Sequence, residues 1–135
     1  MAQFPFTTLG VDPSTLMPRL PLEITFGSRS LQVAGIVDSA ASVNVLPYRV
    51  GLALGAVWEE QEYAGPLVGN LESTESRALS LWTKIPELID ATDVSLIFAW
   101  ANSNRVPVLL GQTNFLMEFN VCFYRSKSYF EVWRD

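Results

Sequence analysis

The sequence predicts a mainly β domain carrying one or two short helices. Apolar and polar residues alternate in short runs, as in Leu22-Glu23-Ile24-Thr25-Phe26, which is the period of a half-buried strand. Turn-forming clusters such as Gly27-Ser28-Arg29-Ser30, Ala101 to Arg105 and Arg125 to Ser128 interrupt these runs at short intervals. Helix signals are confined to two short stretches, one after Pro47 and one after Thr113. With 135 residues, the chain is long enough for one domain with a substantial core.

In chain order, the Leu22–Phe26 run is the first expected strand, and Leu31 to Val37 returns from the Gly27–Ser30 turn and delivers Asp38. Val43-Asn44-Val45-Leu46 reads as the next strand. Pro47 can open a short helix at its first turn, with Val50, Leu54 and Val57 on its apolar face and Gly55 as its stop. From Trp58 to Ile85 the pattern is that of a long hairpin with a glycine-containing tip around Gly69 to Ser73. Glu87 to Asp93 is a loop, and Val94 to Trp100 is a strand. Val106 to Leu110 reads as a fully buried strand stopped at Gly111, where another backbone approaches closely. Thr113 or Asn114 can cap a short helix through Phe119. Val121–Tyr124 and Tyr129–Trp133 form a closing hairpin.

Composition excludes several function classes. There is no histidine, which removes Ser-His-Asp and Cys-His catalysis and most catalytic zinc sites. Cys122 is the only cysteine, so no intrachain disulfide can form; it reads as a buried strand residue with no base beside it. A net charge of -5 and no basic patch argue against nucleic acid as a partner. Met1 to Phe6 has no basic start and no long apolar core, and no apolar run is long enough to cross a bilayer, so the expected compartment is the cytoplasm, with no membrane partner. No metal or other cofactor is expected. Hydrophobic residues make up 49% of the chain and charged residues only 17%. That surplus implies apolar area beyond one subunit's core, in a dimer interface or an apolar groove.

The segment Ile36-Val37-Asp38-Ser39-Ala40-Ala41-Ser42 carries the most chemistry. It places one carboxylate at the end of an apolar strand, ahead of small residues that let the backbone turn. A charge held there is costly unless it is hydrogen-bonded, shared or used. Taken alone, Asp38-Ser39 also fits an ordinary turn.

The ordered features resemble retropepsin-like aspartic proteases, in particular the single-domain bacterial type. Asp38-Ser39-Ala40-Ala41-Ser42 resembles the Asp-Thr/Ser-Gly-Ala/Ser active-site loop, and Val43 to Pro47 resembles the strand and turn after it. Leu52 to Gly55 is similar to the helix end that follows. Tyr63 to Ser73 falls where the family has its flap, and Val108-Leu109-Leu110-Gly111 resembles the apolar-apolar-Gly motif beneath the active-site loop. The resemblance spans about Leu20 to Trp133. It implies a closed β-barrel-like acid-protease fold with a flap hairpin, 1–135 as one domain, and 1–19 as an N-terminal extension or interface segment.

The resemblance also implies a homodimeric aspartic endopeptidase acting on a peptide or protein substrate. Asp38 would supply one carboxylate per subunit, and the Ser39 hydroxyl would bond across the dimer. Gly69, Asn70 and Leu71 would lie near the flap tip and close over bound peptide, Val68, Leu109 and Ala41 would wall apolar side-chain pockets, and Leu110 and Gly111 would underlie the site. The C-terminal run Tyr129 to Trp133 reads equally as an intersubunit strand and as a core strand. Ala40 departs from the family's glycine, which permits backbone angles that alanine resists. An alternative implied by that departure is a catalytically weak or inactive pseudo-protease that binds peptide on the same fold. A plain β-barrel interaction domain, with Asp38 as a turn residue, is the third reading.

Overall fold

The computed structural model describes residues 1–67, 74–89 and 92–135. The first strand, β1 (Ala2–Pro5), precedes a compact loop closed by paired backbone hydrogen bonds between Thr7 and Met17. Then follow β2 (Arg19–Phe26), β3 (Arg29–Val37) and β4 (Asn44–Leu46), helix α1 (Tyr48–Ala53), and β5 (Glu62–Pro66) and β6 (Glu75–Lys84). The chain ends with β7 (Val94–Ala101), β8 (Leu109–Leu110), helix α2 (Phe115–Glu118), β9 (Asn120–Tyr124) and β10 (Tyr129–Trp133).

Six strands close a barrel in the order β2-β3-β8-β4-β7-β6, with β2 pairing back onto β6 at Glu23–Lys84 and Ile24–Thr83. One edge of β6 runs along β7. The other is divided: Glu75 to Ala78 pair with β5, and Trp82 to Lys84 pair with β2. The same strand therefore closes the barrel and extends beyond it as one arm of the β5–β6 hairpin. Alternation explains which side chains fill the interior. Leu20, Leu22 and Ile24 of β2, Leu79 and Leu81 of β6, and Leu96, Phe98 and Trp100 of β7 are all buried. A second apolar cluster, Val45, Leu67, Ala99, Ala101 and Val106 with Leu109 packed against it, gathers alternate residues of β4 and β7 that do not join the main core.

Strand β8 decides the geometry around Asp38. It lies between β3 and β4, parallel to β3 and antiparallel to β4. The loop joining β3 to β4 must therefore pass over β8 and the residues that leave it. Strands β1, β10 and β9 form a separate three-stranded sheet, with β10 in the middle, and Phe4, Phe130 and Val132 buried beneath it.

Several local expectations need adjustment. The expected strand Val106 to Leu110 is hydrogen-bonded as a strand only at Leu109–Leu110, because Pro107 has no N–H to give a ladder, and Leu109 is half-buried rather than enclosed. Val57 is 44% exposed and lies beyond the end of α1, which stops at Leu54 and a positive-φ Gly55. Cys122 is half-buried, on the face of β9 turned away from the core. The first hairpin turns through Gly27-Ser28 alone, since β3 starts at Arg29. Strand β10 has both edges filled within the chain, by β1 and β9, so it is a core strand of this subunit. The hairpin tip expected at Gly69 to Ser73, with Val68, lies outside the described residues.

Candidate active site

Asp38 follows the last residue of β3 and is half-buried. Its backbone N–H donates to the Leu110 carbonyl at 3.0 Å, which ties the carboxylate-bearing residue to β8. The chain then turns tightly. The Ala40 N–H donates to Asp38 Oδ1 at 2.9 Å and the Ala41 N–H donates to the Asp38 carbonyl at 3.1 Å. The Asp38 carboxylate thus holds its own turn closed. Ser39, Ala40 and Ser42 are exposed and Ala41 is half-buried, so the loop forms an accessible ledge on the barrel.

The ledge is fastened from below by the residues that leave β8. The Gln112 N–H donates to the Ala41 carbonyl and the Thr113 N–H to the Ser42 carbonyl, each at 2.9 Å. The Gln112 side chain donates through Nε2 to the Ser39 carbonyl. Gly111 passes so close that a Cβ there would lie 2.5 Å from the Val43 carbonyl oxygen and 2.7 Å from that of Ala41. Only glycine fits between the two backbones.

Asn44 completes the support. It is fully buried, and its Oδ1 accepts the Gly111 N–H at 2.9 Å while its Nδ2 donates to the Ile97 carbonyl at 3.1 Å. One carboxamide therefore joins β4, β7 and the chain leaving β8. The Ile97 N–H in turn donates to Asn114 Oδ1 at 2.6 Å. The supporting roles of Asn44 and Gln112 were not anticipated from the sequence. A signal for Asn44 is present there: asparagine is depleted in strands, yet it stands inside the apolar run Val43 to Leu46. Gln112 carries no such signal.

The structure brings Asp38, Ser39, Ala40, Ala41 and Ser42 together with Leu110 and Gly111. Leu109 sits next to Val45 on the adjoining apolar cluster. Val68, Gly69, Asn70 and Leu71 lie outside the described residues. Ala40 is not in the left-handed region; among the described residues, the non-glycine positions with positive φ are Asn114 and Ser128. Alanine thus sits in this loop without backbone strain. Among the described residues, no three acidic or thiol side chains converge to hold a metal ion. A cleft of about 810 Å³ lies elsewhere, between Met1, Leu88, Ile89, Trp133 and Arg134, and includes no residue of the Asp38 loop.

A barrel in which β8 threads between the strands flanking an Asp-Ser-Ala-Ala loop defines a retropepsin-like fold. A solved structure supports this assignment: a retropepsin-like aspartic protease from Rickettsia conorii superposes with a TM-score of 0.64 over 98% of this chain and 99% of that one. Sequence identity is 10%, so the likeness is one of fold. No protein-family model and no curated protein sequence matches the chain. No helix among the described residues is long and apolar enough to cross a membrane.

Proposed function

We propose that the chain is an aspartic endopeptidase that works as a homodimer, with Asp38 as its catalytic residue. The observation that carries this reading is the Asp38 loop, a half-buried carboxylate on an accessible ledge whose backbone is fastened from beneath by Gln112 and Thr113. Such rigidity is what preorganised acid–base catalysis needs. Each chain carries one such loop, so the second carboxylate comes from an identical subunit across a two-fold axis. Two carboxylates in close approach share one proton. The ionised one takes a proton from a bound water as that water attacks the scissile carbonyl, and the protonated one donates to the carbonyl oxygen. Collapse of the tetrahedral intermediate with proton transfer to the amine releases the two peptide fragments. In this reading Ser39 bonds across the dimer axis, residues 1–19 contribute to the subunit interface, and Gly69, Asn70 and Leu71 close over an extended peptide held as an added strand. Val68, Leu109 and Ala41 wall its pockets. Half-buried Leu109, packed against the buried cluster that includes Val45 and Leu67, supports a preference for apolar side chains.

Ala40 favours one second reading, a peptide-binding module without cleavage, because the residue is exposed beside the carboxylate and carries a methyl where the family's glycine has none. The two readings separate in one experiment. Purified protein is incubated with a broad peptide library from acid to neutral pH, alongside Asp38→Asn and Ala40→Gly. Cleavage that is lost in Asp38→Asn supports the peptidase. Absence of cleavage in both the native protein and Ala40→Gly overturns it, and peptide binding retained by Asp38→Asn then identifies the module.

A further inference from the structure

We propose that Gln112 is a positioning residue that orients the Ser39–Ala40 peptide group so that its N–H points at the Asp38 carboxylate. The functional part of this inference rests on the reading of Asp38 as catalytic. The geometry is specific. A peptide group is a rigid plane with its C=O and N–H directed to opposite sides. In the Ser39–Ala40 group, the C=O end accepts from Gln112 Nε2 and the N–H end donates to Asp38 Oδ1 at 2.9 Å. Rotating the plane would break both bonds together, so the carboxamide that holds one end fixes the other.

The backbone of Gln112 is itself anchored, because its N–H donates to the Ala41 carbonyl at 2.9 Å. One residue therefore grips the loop on both sides of Ala40. The side-chain contact is needed because Ala40 and Ser39 are exposed and have no packing to lock the peptide plane. Aligned donors in series also polarise one another, which strengthens the N–H bond to the carboxylate.

The test compares native protein, Gln112→Met, which keeps length and neutrality but has no donor, and Gln112→Arg, which restores an N–H donor. The primary readout is the hydrogen-exchange rate of the Ala40 amide, followed by NMR in the folded protein. Gln112→Met will exchange about tenfold faster at Ala40, the loss of one net hydrogen bond. Gln112→Arg will return to within about twofold of the native rate, which separates loss of the donor from loss of the side chain. In the peptidase assay, kcat of Gln112→Met will fall about tenfold at constant KM. Native exchange at Ala40 in Gln112→Met, or exchange in Gln112→Arg as fast as in Gln112→Met, overturns the inference. A native protein that cleaves nothing overturns the peptidase reading alone, since the exchange measurement does not depend on activity.

Discussion

The side chain of Asn44 receives the backbone N–H of Gly111 at 2.9 Å, across 67 residues of sequence and with no exposure to solvent. This bond joins the strand that leaves the Asp38 loop to the segment that supports it. Asn44→Ala leaves the buried Gly111 N–H and the part-buried Ile97 carbonyl without their partner. It will lower the unfolding free energy by about 2 kcal/mol, mostly from the buried Gly111 N–H left unsatisfied. Urea denaturation followed by circular dichroism measures this, and a loss below about 1 kcal/mol would mean that water or a neighbour replaces the carboxamide.

Gly111→Ala will be more damaging than its single methyl suggests. The atoms it meets, the carbonyl oxygens of Val43 and Ala41, belong to backbone and cannot rotate away. The Asp38 loop must lift or the strand must shift, at a cost of about 3 kcal/mol and roughly 10 °C in melting temperature. Gly27→Ala is the control. Gly27 has φ near +60° but open space around it, so only the backbone penalty of about 1–2 kcal/mol applies.

A Cβ at Gly51 would lie 2.2 Å from the Trp100 indole. That ring is held by a bond from its Nε1 to the Tyr48 carbonyl at 3.0 Å and is stacked on Tyr48, with Trp58 against it edge-on. Gly51→Ala will therefore displace a trapped aromatic cluster. It will destabilise by about 2–3 kcal/mol through overpacking and will change the tryptophan fluorescence of the folded state.

The loop after β1 has a built-in acid sensitivity. Asp12 accepts hydrogen bonds from the Ser14 hydroxyl at 2.7 Å and the Ser14 N–H at 3.0 Å, which hold its carboxyl below its usual 3.8, the side-chain bond first. A folded-state pKa below the unfolded value means that the unfolded chain binds the proton more readily. The contribution is fully present above about 3.8 and is lost as pH falls through the folded value. An NMR titration of the Asp12 carboxyl will show a midpoint below 3.8, and the Ser14 amide will lose protection over the same range. Asp12→Asn will abolish that pH dependence and will lower the melting temperature at neutral pH only slightly, because the group is fully exposed.

Barrel strands were legible where side chains alternate by burial. Leu22 and Ile24 on β2, or Leu79, Leu81 and Thr83 on β6, record in sequence which side of the sheet they face, whereas Leu20, ahead of Pro21, lies outside the expected strand. The continuous apolar run misled at Val106 to Val108, where Val106 packs into the second apolar cluster, Val108 into the main core, and the Pro107 ring precludes a regular ladder. Strand β1 was illegible because Pro5 argues against a strand. Proline is tolerated there because β1 lies at the sheet edge and pairs only with β10.

At the candidate site, Asp38 and Gly111 could be read because their residue types are required by chemistry and by space. Gln112 could not, since its partner is a backbone carbonyl 73 residues away, and backbone carbonyls leave no mark in a sequence. Ala40 shows a different limit. The residue type raised the question of backbone strain, but only the φ angle could answer it.

The pairing of β1 with β10, in which Ala2 faces Val132 and the Phe4 ring stacks on Phe130 at 5.4 Å, also sets an order of assembly. Every barrel strand lies between Arg19 and Leu110, so the barrel can close from contacts nearer in sequence. The terminal sheet spans the greatest loop in the chain and carries the largest closure entropy. During synthesis β1 waits unpaired, with Phe4 uncovered, until β10 has been made. That interval is when this chain is most exposed to mispairing with another copy of itself.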